Sequence, residues 1–168
     1  LKFPWIKKSW LHRLYFDIFV AHKLVKQYEV DEVLSLQNII IPYTKVNQTL
    51  YLHQSLPFIK KKYRITENAK FWVYQNIISK MIYMSIKKAD KVIVQTKWMM
   101  DAAIEKTRVK KDKFILEQPK LSNKVKQLYN PKDKFKKLFF YPASGFIYKN
   151  HEVIVNTAKI LMQKNKKK

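Results

Sequence analysis

Apolar residues recur at helical spacing along residues 9–28, SWLHRLYFDIFVAHKLVKQY, where Trp10, Leu11, Leu14, Tyr15, Ile18, Phe19 and Val25 share one face. Ser9 stands where an N-cap is expected. Short apolar runs come next, each of strand length: Glu32 to Leu36, Gln48 to His53, Lys91 to Gln95, Lys113 to Leu116 and Leu138 to Tyr141. The first and third read as buried strands. Between them the pattern returns to helical spacing. A long helix is predicted from Thr66 to about Lys88, with Phe71, Trp72, Ile78, Ile82 and Ile86 apolar and Glu67 in its first turn, where the helix dipole favours a carboxylate. A shorter helix capped by Thr96 is predicted to about Lys106, and another from about Asn150 to Met162. Residues 38–47, with Pro42, and 117–136, with Pro119, Pro131 and many lysines, read as loop and linker. Trp10, Trp72 and Trp98 follow this periodicity and are expected in the core.

Strands alternating with helices predict an α/β fold with a parallel sheet. Such sheets bind ligands at the carboxyl ends of their strands. The residues there are Gln37 and Asn38, His53 and Gln54, Gln95 and Thr96, and the loop from Ala143 to Asn150.

Composition narrows the chemistry. The 168 residues hold 35 Lys plus Arg against 12 Asp plus Glu, a formal net charge of +23. A hydrophobic fraction of 47% is too high for a disordered basic tail. With no cysteine, a disulfide scaffold, a Cys-ligated zinc and a thiol nucleophile are excluded. Gly145 is the one glycine, where average usage of ~7% would give about twelve. A glycine-rich phosphate loop is therefore excluded within these residues. His12 and His22 lack metal-type spacing. The charge should attract anions: phospholipid, nucleic acid or phosphorylated substrate. Only Arg13, Arg64 and Arg108 are arginines, which argues against sequence-specific base reading. No apolar run is long enough to span a bilayer, and no signal peptide is visible.

Several segments in order carry a resemblance: RLYFD (13–17), SLQN (35–38), YLHQSLPF (51–58), ADKVIVQTKWM (89–99) and FFYPASGFIYKNHEVI (139–154). Together they resemble bacterial group 1 glycosyltransferases of the GT-B fold, of the capsule, O-antigen (lipopolysaccharide) and exopolysaccharide type. The resemblance covers nearly the whole chain. It implies a Rossmann-like parallel sheet: residues 1–118 form most of an acceptor-side N-terminal domain. Residues 119–136 form the interdomain linker. Residues 137–168 begin the nucleotide-sugar-binding C-terminal domain with its first βα unit. The family's opening strand, its glycine-rich turn and its downstream Glu-x7-Glu motif find no match here, so the chain reads as a piece of something longer, inactive alone.

The resemblance implies a hexosyltransferase, retaining, without a metal or other cofactor. It implies a nucleotide-sugar donor and a glycan or lipid-linked glycan acceptor. Location would be cytoplasmic, peripheral at the inner face of the plasma membrane, where the basic first helix and the loop Lys60 to Arg64 would meet anionic headgroups. His53 would face the reacting sugars as the catalytic histidine. Gln54, Asn38 and Thr96 would contact sugar or acceptor. Lys149, just before a helix start, would hold the donor diphosphate. The family's Gly-Arg pair falls on Ala143-Ser144, so Ser144 and the Gly145 backbone would supply a neutral substitute. His151 and Glu152 read as structural. That reading expects no specific nucleic acid; two rivals stand beside it: a basic nucleic-acid-binding module that binds DNA or RNA with some selectivity, and a non-catalytic, membrane-associated partner subunit completed by a second chain.

Overall fold

The computed structural model describes residues 2–119, 141–145 and 149–165. The chain divides into two compact units, residues 1–121 and 122–168.

The first unit is a four-stranded, fully parallel sheet with helices. After a 3-10 turn at Pro4–Lys7 come α1 (Trp10–Tyr15) and α2 (Ala21–Gln27), joined by a π-helical stretch at Phe16–Val20. β1 (Glu32–Ser35) and β2 (Asn47–Leu52) are next. Then come α3 (Ile65–Val73), a second π-helical stretch (Tyr74–Ile78) and α4 (Ser79–Lys88). β3 (Lys91–Val94), α5 (Lys97–Thr107) and β4 (Phe114–Leu116) complete the unit. The strands lie side by side in chain order, with Glu32 beside Asn47, Leu50 beside Val92 and Val92 beside Phe114.

Local signals set the element ends. Ser9 caps α1 by accepting from the His12 N–H, and Thr96 caps α5 by accepting from the Met99 N–H. The long helix starts at Ile65, one residue before expectation. The Glu67 carboxylate reaches back to the Arg64 N–H at 2.9 Å. Asn68 leaves helical geometry and caps the run beyond it, accepting from the Phe71 N–H at 3.0 Å. Among the described residues Glu29, Asn38, Tyr43, Arg108 and Asn150 take positive φ, and Arg108 ends α5 in the left-handed conformation that glycine usually supplies.

One face of the sheet is covered. Leu50, Leu52, Val92, Val94 and Phe114 share it by register and pack against Ile82 and Ile86 of α4 and Met99, Met100 and Ala103 of α5. The opposite face carries Leu34, Thr49, Tyr51, Ile93 and Ile115, none of them buried. β1 is thus not the buried strand expected. It lies at the sheet edge, and Leu34 and the nearby Leu36 are each 59% exposed.

The first helix also departs from expectation. Leu11 (69% exposed), Tyr15 and Phe19 are open to solvent, while Ala21 and Val25 are buried. The π-helical stretch inserts an extra residue into the turn and rotates α2 relative to α1, so one face does not run the full length. The aromatic residues pack against one another, Tyr15 tilted on Phe19 with ring centroids 5.4 Å apart and Trp5 edge-on to Phe16 at 6.0 Å. Trp98 is exposed, not core, and Trp72 is half-buried. The side chain of Trp10 and most of the predicted fifth strand (138–140) lie outside the described residues, and Tyr141 is not in a strand.

The second unit contributes α6 (His151–Asn165). Tyr141 packs its ring edge-on to His151 at 5.4 Å, and its hydroxyl donates to the Lys149 carbonyl at 3.2 Å.

Candidate functional site

β1 and β2 end side by side, and the residues just past them converge. Asn38 is buried and holds a left-handed φ of 63°, which asparagine tolerates better than most residues. That conformation turns its side chain onto the segment leaving β2. Its Oδ1 accepts from the His53 N–H at 2.8 Å and from the Gln54 N–H at 2.9 Å. Its Nδ2 lies 3.2 Å from His53 Nε2. His53 itself is exposed, and its ring lies 6.2 Å from that of Tyr51. Tyr51 Oη accepts from Gln95 Nε2 at 2.6 Å, so the ends of β2 and β3 are tied by side chains as well. Gln54 Oε1 accepts from the Leu56 N–H at 3.3 Å, which turns the chain after His53.

A cavity of about 310 Å³ opens here, bordered by Gln37, Asn38, His53, Gln54, Arg13 and Asp17, with Tyr74, Ile78, Met81 and Ile82 as its apolar wall. Both π-helical stretches border it, one through Asp17 and the other through Tyr74 and Ile78. Such insertions are frequent at functional sites because they move one side chain off the regular helical track. Arg13 Nε donates to both oxygens of Asp17, at 3.1 and 2.9 Å. Burial pushes the Asp17 carboxyl above the ordinary carboxylate range, and the Arg13 hydrogen bond and charge pull it partly back. The wall thus offers a held cation–carboxylate pair, a histidine ring and amide groups, a set suited to hydroxyl-rich ligands. A larger cavity of about 540 Å³ lies under residues 39–46, beside Gln48 and Asp90 at the opposite, amino ends of β2 and β3. It lacks the strand-end position from which parallel sheets act, so the smaller cavity is the better candidate.

The expected site residues separate into groups. His53, Gln54 and Asn38 come together, with Asn38 engaged by its neighbours rather than open. Thr96, at the end of β3, spends its hydroxyl on the α5 cap. Lys149, Ser144 and Gly145 belong to the second unit, where Lys149 is half-buried just before α6 and Ser144 and Gly145 are exposed. Arg13 and Asp17 were not singled out as site residues, although their i, i+4 spacing signals an ion pair on a helix. Gln75 was also missed. It is buried, accepts from the Tyr63 N–H at 2.9 Å and donates to the Leu56 and Lys61 carbonyls, pinning the segment just beyond the site. A lone glutamine in a helical pattern gives no sign of such a role.

Among the described residues no group of three or more His, Cys, Asp or Glu is placed to hold a metal ion. No helix among them is long and apolar enough to cross a membrane. No protein-family model, curated protein or solved structure matches the chain.

Proposed function

We propose that the chain is part of a nucleotide-sugar-dependent glycosyltransferase of GT-B type, acting in surface polysaccharide synthesis. The observation that carries the reading is the cluster of His53, Gln54 and Asn38 at the carboxyl ends of β1 and β2, within segments that resemble that family. In such a transfer an acceptor hydroxyl attacks the anomeric carbon, the bond to the nucleoside diphosphate breaks, and the hydroxyl proton is lost. The barrier is lowered mainly by positioning and by stabilising the charge on the departing diphosphate. In this reading the first unit serves the acceptor, with His53 bonding the reacting sugars. The second serves the donor: Lys149 neutralises diphosphate charge, and Ser144 with the Gly145 backbone supplies neutral contacts.

A peripheral position on an anionic membrane belongs to the same proposal. Leu11, Tyr15 and Phe19 stand exposed at four-residue intervals, and Lys7, Lys8, Lys23 and Lys26 are exposed around them. Aromatic and apolar side chains flanked by lysine suit a headgroup region.

The test is ligand-observed NMR with a panel of nucleotide sugars. Saturation transfer to the nucleotide-sugar protons, lost in Lys149→Ala, is expected. Absence of that signal, together with nucleic-acid binding that persists at moderate salt, would replace this reading with the nucleic-acid module, since nonspecific phosphate contacts weaken steeply as salt rises.

A further inference from the structure

The Asn38 side chain can be oriented without seeing a hydrogen atom. Its Oδ1 accepts two backbone N–H groups, from His53 and Gln54. A flipped amide would face those two donors with a third, so the network fixes which end is oxygen. The NH2 end is therefore the one beside His53 Nε2, at 3.2 Å. An amide nitrogen only donates, so Nε2 must present its lone pair. In a neutral imidazole the proton then sits on Nδ1. Among the described residues Nδ1 has no hydrogen-bond partner, and the ring is exposed beside the 310 Å³ cavity.

We infer that Asn38 is a positioning residue that locks His53 as the neutral Nδ1–H tautomer, so that the ring offers its ligand a hydrogen-bond donor and no base. Three bonds from one buried side chain set ring orientation, backbone path and tautomer together. The ligand chemistry this selects is an oxygen acceptor, such as a sugar hydroxyl or a phosphate oxygen. A substrate that must surrender a proton to His53 is excluded, because the basic lone pair is turned inward onto Asn38. For a glycosyl transfer, His53 would thus hold or stabilise an oxygen and would not deprotonate the acceptor. That last step rests on the glycosyltransferase reading, whereas the tautomer does not.

Histidine ring 15N NMR on the ligand-free chain reads the tautomer directly, at about pH 8.5, above the ordinary imidazole range. The His53 signals are assigned by their loss in His53→Gln. Wild type is expected to show a protonated, pyrrole-type Nδ1 and an unprotonated, pyridine-type Nε2. This reverses the preference of an unconstrained imidazole in water. In Asn38→Asp the carboxylate still accepts both backbone N–H groups but offers Nε2 an acceptor, so Nε2 should gain the proton. In Asn38→Gly, which keeps the positive φ, the ring should return to the Nε2–H form. An Nε2–H ring in wild type, or the same tautomer in all three proteins, would overturn the inference. No donor or acceptor is present, so failure to bind a nucleotide sugar leaves this result standing.

Discussion

The two faces of the parallel sheet differ more than its strands do. Val94 is completely buried beneath α4 and α5, whereas Ile93, its chain neighbour, is only half-buried on the opposite side. Leu50 is 0% exposed, and Leu34, which pairs with Thr49 on the other face, is 59% exposed. Composition does not separate Val94 from Ile93 or Leu50 from Leu34, because each of the four is a branched aliphatic residue. What separates them is the connections. The crossover helices after β2 and β3 pack on the same face, and the β1–β2 connection carries no helix to place on the other. Parallel sheets ordinarily have both faces covered. Stability in this unit should therefore come overwhelmingly from one layer.

The largest test of this is a large-to-small change on the covered face. Leu50→Ala should cost about 2–5 kcal/mol by denaturant unfolding, through lost burial and the cavity left behind. A loss below about 1 kcal/mol would mean that the helical layer is loosely packed. The adjacent pair gives a sharper contrast. Val94→Thr buries a hydroxyl and should cost about 1–3 kcal/mol, while Ile93→Thr should cost less, because its hydroxyl can reach water. Equal losses would erase the distinction between the faces.

A smaller, pH-dependent difference belongs to Asp17, whose side chain is 15% exposed. Burial raises its folded pKa above the ordinary carboxylate value. The folded state thus holds that proton more tightly than the unfolded chain does. Its contribution to stability is greatest below the unfolded pKa and is lost as pH rises through the folded one. Relative to Asp17→Asn, wild type should lose stability between acid and neutral pH in thermal melts. A constant gap between the two proteins would rule this out. The smallest effect is expected on the bare face, where Leu34→Ser should shift stability by no more than about 0.5 kcal/mol.

Much of this architecture was legible in the chain, and the illegible parts share a cause. Four strands fell within a residue or two of their predicted positions because apolar runs between helical segments are a local signal. Ser9 and Thr96 announced their caps for the same reason. Periodicity reports which residues share a side, but not whether anything lies against it. Hence the spacing of Leu11, Tyr15 and Phe19 gives them a common side without showing that this side lies open to solvent, as it does. The two π-helical stretches were invisible because their insertion leaves composition unchanged. At the site, His53, Gln54 and Asn38 were visible as polar residues ending apolar strands. The inward turn of Asn38 was not, since it depends on a left-handed backbone 15 residues away from its partner in sequence.

Strand order that follows chain order has a consequence for how the chain is made. Glu32 pairs with Asn47, Thr49 with Lys91 and Val92 with Phe114. From β2 onward, each strand therefore pairs with the strand made immediately before it. The longest gap between paired strands is the passage of α3 and α4, which themselves form from local contacts. Parallel sheets are ordinarily slow to assemble because their pairings span long loops. Here the sheet can grow at one edge as the chain emerges, without breaking strand pairs already formed.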